Sequence, residues 1–184
     1  IGYEALDGAV TMSNNVAVGS QCLTGSVTGG QNTAVGTESL EANTGGDDNV
    51  AIGYRALEAN TTGARNVAVG RVALGSQATE SNCTAVGYYA LGDNSTGSEN
   101  SAFGANCMDA LTTGNYNDAF GRDALGTGTG FTECCAFGNS ALKLNTGDHN
   151  CAFGFNALGV NTSGARNTAF GHRALEANTT AVNN

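Results

Sequence analysis

One spacing limits what this chain can fold into. A Gly preceded by Val, Ile or Phe recurs at Gly2, Gly19, Gly36, Gly53, Gly70, Gly87, Gly104, Gly121, Gly138, Gly154 and Gly171. Every step is seventeen residues except one of sixteen, between Gly138 and Gly154. Numbered from Asn15, the unit reads N-x-A-(V/I/F)-G-x-x-A-L-x-x-N-T-T-G-x-x. Position three is Ala, position five Gly and position eight Ala, Ser or Cys, while position nine is Leu in every unit but the one with Met108. A length held this tightly predicts an all-β, parallel β-solenoid (a β-roll) of about eleven coils, in which each turn bonds to the next and like positions stack in columns. Stacking at the strand spacing of about 4.8 Å would make the roll about 50 Å long. An extra residue would misregister its coil, and the short unit accordingly loses its residue in the turn, where "NTGDH" (Asn145 to His149) replaces "NTTGAR".

Within the unit, positions two to five read as a short strand closed by Gly. Side chains alternate along a strand, so position four faces away from three and five. The column Val18, Val35, Ile52, Val69, Val86, Phe103, Phe120, Phe137, Phe153 and Phe170 is predicted to fill the core, its five phenyl rings forming one aromatic stack. Asn at position one suits an internal amide ladder or a tight corner. The "NTTG" runs, with Asn43, Asn60, Asn94, Asn145, Asn161 and Asn178, read as a second corner with Gly at positive φ. Positions eight to eleven, as in "ALEAN", suit either a second strand or one helical turn, and a strand is the favoured expectation. Disordered low-complexity sequence requires neither a Leu in each unit nor a fixed Ala-large-Gly triplet.

Composition narrows the function classes. The chain has 28 Gly, no Pro and no Trp, and its 40% hydrophobic content is rich in Ala, so any globular core would be thin. A net charge of −9 argues against nucleic-acid binding and against an anionic membrane surface, since both require clustered cations. No apolar run of about 20 residues is present to span a bilayer. The chain opens in mid-motif at "IGYEAL", so residues 1–184 are expected to be a single repeat solenoid cut from a longer polypeptide.

No catalytic or metal-binding motif recurs along the chain. His149 and His172 lie on different coils at unlike positions, and the calcium-roll and zinc signatures are absent, so neither an enzyme, a cofactor nor a metal is expected. No T-x-T array recurs as an ice-binding face would need. Cys135 and Cys151 occupy position two of neighbouring coils, which puts their Cα atoms roughly 4.8 Å apart, within disulfide range; Cys134 is a diagonal competitor. Cys22 and Cys107 stand for Ala at position eight and read as small buried hydrophobes. Positions six and seven collect Tyr54, Arg55, Arg71, Tyr88, Tyr89, Arg122, Phe155, His172 and Arg173. Such a stripe suits an interchain contact, glycan stacking, or an ordinary amphipathic shoulder. Asn60, Asn82, Asn94, Asn161 and Asn178 match the N-x-S/T acceptor pattern, most of them within the recurrent turn.

The units "NTAVG", "NVAIGYRALEANTTG" and "NTAFGHRALEANTT" resemble the shaft repeats of phage tail-fibre-like proteins. They are also similar to the head repeats of trimeric autotransporter adhesins, although the seventeen-residue period is longer than the adhesin unit and the Phe half departs from it. The resemblance covers the whole chain. It implies a homotrimeric parallel β-roll on a virion or cell surface that holds a binding tip away from the particle or adheres directly to a glycan or receptor. A self-assembling extracellular filament of the same solenoid is the alternative.

Overall fold

The computed structural model describes residues 1–8, 13–25 and 28–184. It is a β-solenoid whose ten three-residue strands form one parallel sheet in sequence order. The strands are β1 (Val16–Val18), β2 (Thr33–Val35), β3 (Val50–Ile52), β4 (Val67–Val69), β5 (Thr84–Val86), β6 (Ser101–Phe103), β7 (Asp118–Phe120), β8 (Cys135–Phe137), β9 (Cys151–Phe153) and β10 (Thr168–Phe170). Partners lie one repeat apart, as in Val18 with Val35 and Val86 with Phe103. The sixteen-residue coil keeps this register, pairing Phe137 with Phe153. Among the described residues no helix is long and apolar enough to cross a membrane.

Each strand is short because the Gly at position five ends it, at φ between 127° and 143°. A Cβ there would strike the next coil, 2.5 Å from the Gly70 carbonyl oxygen in the case of Gly53. The expected second strand is not found. Positions six to eleven form a turn in which positions seven and nine are left-handed although neither is Gly, as in Val72 (φ 57°) and Leu74 (φ 50°). Such residues cost about 1–3 kcal/mol each unless their surroundings hold them. Here coil-to-coil hydrogen bonds do so: the Val72 amide donates down to the Tyr54 carbonyl at 2.9 Å, and the Leu74 amide up to the Ala90 carbonyl at 3.1 Å. The corner glycines differ from expectation too. Positive φ belongs to the position-five glycines, whereas Gly63 and Gly97 are required because a Cβ would overlap the next coil's carbonyl and their own coil's Asn side chain.

The interior reverses the expected assignment of faces. The column from Val18 through Val35, Ile52, Val69, Val86, Phe103, Phe120, Phe137 and Phe153 to Phe170 points outward, each residue half-buried or exposed. The Ala at the centre of every strand faces in and is buried, opposite a Leu column (Leu23, Leu40, Leu57, Leu74, Leu91, Met108, Leu125, Leu142, Leu158) with no solvent exposure. Strand wall and turn wall approach so closely that Leu from one side leaves room only for Ala from the other. Close packing of this kind, rather than residue size, decides which face of the strand is inside.

Two buried amide columns line the edges of this core. The Oδ1 of each position-one Asn accepts the backbone amide of the next coil (Asn49 to Asn32 at 2.9 Å), and its Nδ2 donates to a corner carbonyl (Asn32 to Gly46 at 2.8 Å). Where Cys83 and Cys134 replace Asn, the thiols keep the second contact, donating to Gly97 at 3.4 Å and Gly147 at 3.3 Å. In the corner column Asn60 donates to Asn43 at 3.0 Å and Asn94 to Gln77 at 3.1 Å. Gln77 is longer and donates to the Glu80 carbonyl instead, at 2.7 Å. The Oδ1 of Asn60 is consequently the one buried side-chain polar atom without a partner among the described residues.

Candidate functional site

Among the described residues the chemistry-bearing side chains lie mainly on two outer surfaces. The first is the outward face of the sheet, made of positions two and four. Its lower half carries Val and Ile at position four, beside Val16, Thr33, Val50, Val67 and Thr84 at position two. Its upper half is a stack of phenyl rings with centroids 4.6 Å apart from Phe103 to Phe120, 4.6 Å to Phe137, 4.9 Å to Phe153 and 5.8 Å to Phe170. The expected stacking is therefore present, on the outside of the chain. Asp118 is the only charged residue in the two columns. Apolar side chains aligned in this way and left half-buried or exposed make this face a candidate contact surface.

The second surface is the shoulder formed by positions six and seven, which the structure divides into two clusters. In the first, the Arg71 guanidinium lies between two rings, 5.6 Å from Tyr54 and 5.9 Å from Tyr88. Arg55 sits 5.8 Å from the Tyr54 ring and is held by Glu58 at 2.6 Å. Tyr89 packs 6.2 Å from Tyr88 and donates its hydroxyl to Asp93 at 2.9 Å, a bond that raises the phenol's pKa. In the second cluster Phe155 stacks on His172 at 5.4 Å, Arg173 pairs with Glu176 at 2.5 Å, and Arg122 lies 3.7 Å from Asp123. The hydrogen bond from Arg173 pulls the Glu176 carboxyl below its ordinary pKa. Beside this cluster runs an open groove of about 520 Å³, bordered by Arg122, Lys143, Phe155, Asn156, Val160 and Glu176. Lys143 and Glu176 gave no signal in the sequence because they sit at freely varying positions of the unit.

Other groups resolve into structural roles. The carboxylates of Glu38, Glu41 and Glu58 come within 4.8 Å of one another, but Arg55 stands among them, 3.3 Å from Glu38, and supplies the countercharge. His149 lies 3.7 Å from Glu133 on the surface. All six cysteines are free. Cys22 and Cys107 are buried as expected, and burial pushes the thiols of Cys83 and Cys134 up to about 11 and that of Cys107 up to about 12. Cys135 and Cys151 are register partners on the outward face and remain thiols. Cys134 faces the interior and so does not compete with them. Of the N-x-S/T asparagines, Asn60, Asn94 and Asn161 are fully buried in the corner ladder, which leaves no room for a glycan in the folded chain; Asn178 is half-buried and donates to Asn161, and Asn82 is exposed.

No protein-family model, curated protein or solved structure matches the chain.

Proposed function

We propose that the chain is a non-enzymatic structural segment: the solenoid shaft of a phage tail fibre or surface adhesin, displayed outside the cell or on a virion in support of attachment. The observation that carries this is the outward Val/Phe ladder. One copy alone leaves that ladder facing water along the sheet, and burying it is favourable by about 25 cal/mol per Å² of apolar area. A second copy of the same chain is the partner whose side chains repeat at the same coil spacing, so contacts made at one coil recur at the next. Three copies closing around one axis would cover the face on every chain and leave the shoulder with Tyr54, Arg71, Tyr88 and Phe155 available to the ring faces of a cell-surface glycan.

Light scattering coupled to size exclusion tests the reading. It predicts a discrete particle of three chains of 18.4 kDa each. A single-chain mass at all concentrations would contradict it, and a ladder of ever larger species would replace the shaft by a self-assembling filament.

A further inference from the structure

The six thiols fall into two groups. Cys22, Cys83, Cys107 and Cys134 are buried, and the last three donate to interior carbonyls of Gly97, Ala119 and Gly147. Cys135 and Cys151 are only half-buried. Each opens its strand, so both point to the outward face, away from the inward Ala136 and Ala152. They are direct partners across β8 and β9. Adjacent coils in a parallel sheet put partner Cα atoms about 4.8 Å apart, inside the range of about 4.4–6.8 Å that a disulfide spans. Burial, and after it the neighbouring Cys151, push the Cys135 thiol up to about 11, consistent with two sulfurs in contact.

An independent observation concerns where the pair sits. The step of sixteen residues from Cys135 to Cys151 is the one short coil of the solenoid. Its corner has lost a residue, and Asn150 there bonds to Asn145 within the same coil, at 3.0 Å. We infer that Cys135 and Cys151 are an oxidisable dithiol that closes as an intrachain disulfide and fastens the irregular coil to its neighbour. The oxidant is a low-molecular-weight disulfide such as oxidised glutathione. One cysteine thiolate attacks it, forming a mixed disulfide and releasing one glutathione thiolate. The second cysteine thiolate displaces the other glutathione, so two protein thiols are oxidised, one disulfide is reduced to two thiols, and the two protons pass to the released thiolates.

The test treats the reduced full chain with oxidised glutathione and reads intact mass, peptide mapping and thermal unfolding. The expected product has lost two hydrogens, maps to Cys135–Cys151, and melts roughly 5–10 °C higher, as closing a loop of this length implies. Cys135→Ser and Cys151→Ser should each abolish both changes while leaving the reduced protein's melting point in place. The mapping on the unaltered chain holds even if a variant folds poorly. A bridge to Cys134 or between two copies, a persistent glutathione adduct, unreacted thiols, or closure without a rise in Tm would each overturn the inference. Because the proposed trimer would cover the outward face, the oxidation is carried out on dilute single chains, where both thiols are open to glutathione. Closure there is read whether or not the chains go on to assemble, so this test and that of the fibre reading fail separately.

Discussion

The half of the solenoid from β1 to β5 carries Val or Ile at position four, and the half from β6 to β10 carries Phe. Behind that column the two halves are alike. Ala34, Ala51, Ala68 and Ala85 are as fully buried as Ala102, Ala119, Ala136 and Ala152, and Leu57 and Leu74 as fully buried as Leu125 and Leu142. Had position four pointed inward, five successive Val-to-Phe exchanges would have overpacked the core unless the facing wall shrank to match. The facing wall is Leu in both halves. The variable column is therefore free of interior packing, and what favours Phe over Val there is stacking on the neighbouring rings of the column together with any contact made from outside the chain.

The largest effect should come from the part the halves share. Leu74→Ala and Leu142→Ala are each expected to destabilise the chain by about 2–5 kcal/mol, measured by chemical denaturation. A much smaller loss in one half would break the comparison. Alkaline pH probes the same interior through its thiols. Cys83 in one half and Cys134 in the other have folded pKa values of about 11, against an ordinary 9.0. Below pH 9.0 both states hold the proton; above it the unfolded chain loses the proton first, so stability falls as pH rises to about 11. The loss is on the order of 2 kcal/mol for each thiol, and denaturation curves across that range should lose part of their pH dependence in Cys83→Ala.

Smaller effects sharpen the contrast with the outer column. Phe120→Val, which makes one coil of the Phe half like the Val half, should cost the single chain only about 1 kcal/mol while weakening self-association measured by sedimentation. Last, Gln77→Asn should let the side chain donate to the orphaned Asn60 and raise stability by about 0.5–1.5 kcal/mol; no gain would show that Asn60 is already satisfied.

Much of this fold is legible in the sequence, and the part that is not has a physical cause. The period fixes which residues stack, so strands, register, phenyl column and position-one amide ladder all follow from spacing. Alternation says that Ala and Phe lie on opposite sides of the strand but not which side is inside. Size suggests Phe; the clearance to the Leu wall dictates Ala. The turn is illegible for a different reason. Val72 and Tyr89 have no intrinsic preference for φ of 57° and 56°, and bonding to the neighbouring coil holds them there. Of the candidate site, the shoulder residues were visible as a column, but its division into two clusters depends on ion pairs with Glu58 and Glu176, which vary from coil to coil.

Fluorine NMR of the chain carrying fluorophenylalanine, titrated with a soluble paramagnetic quencher, tests the central claim most directly because the protein contains its own controls. Phe131 is fully buried and Phe155 is exposed on the shoulder. The account predicts that Phe103, Phe120, Phe137 and Phe153 are reached by the quencher in dilute single chains and shielded in the assembled particle, with Phe131 shielded and Phe155 reached in both. Column rings as inaccessible as Phe131 in the single chain, or still open in the assembly, would contradict it.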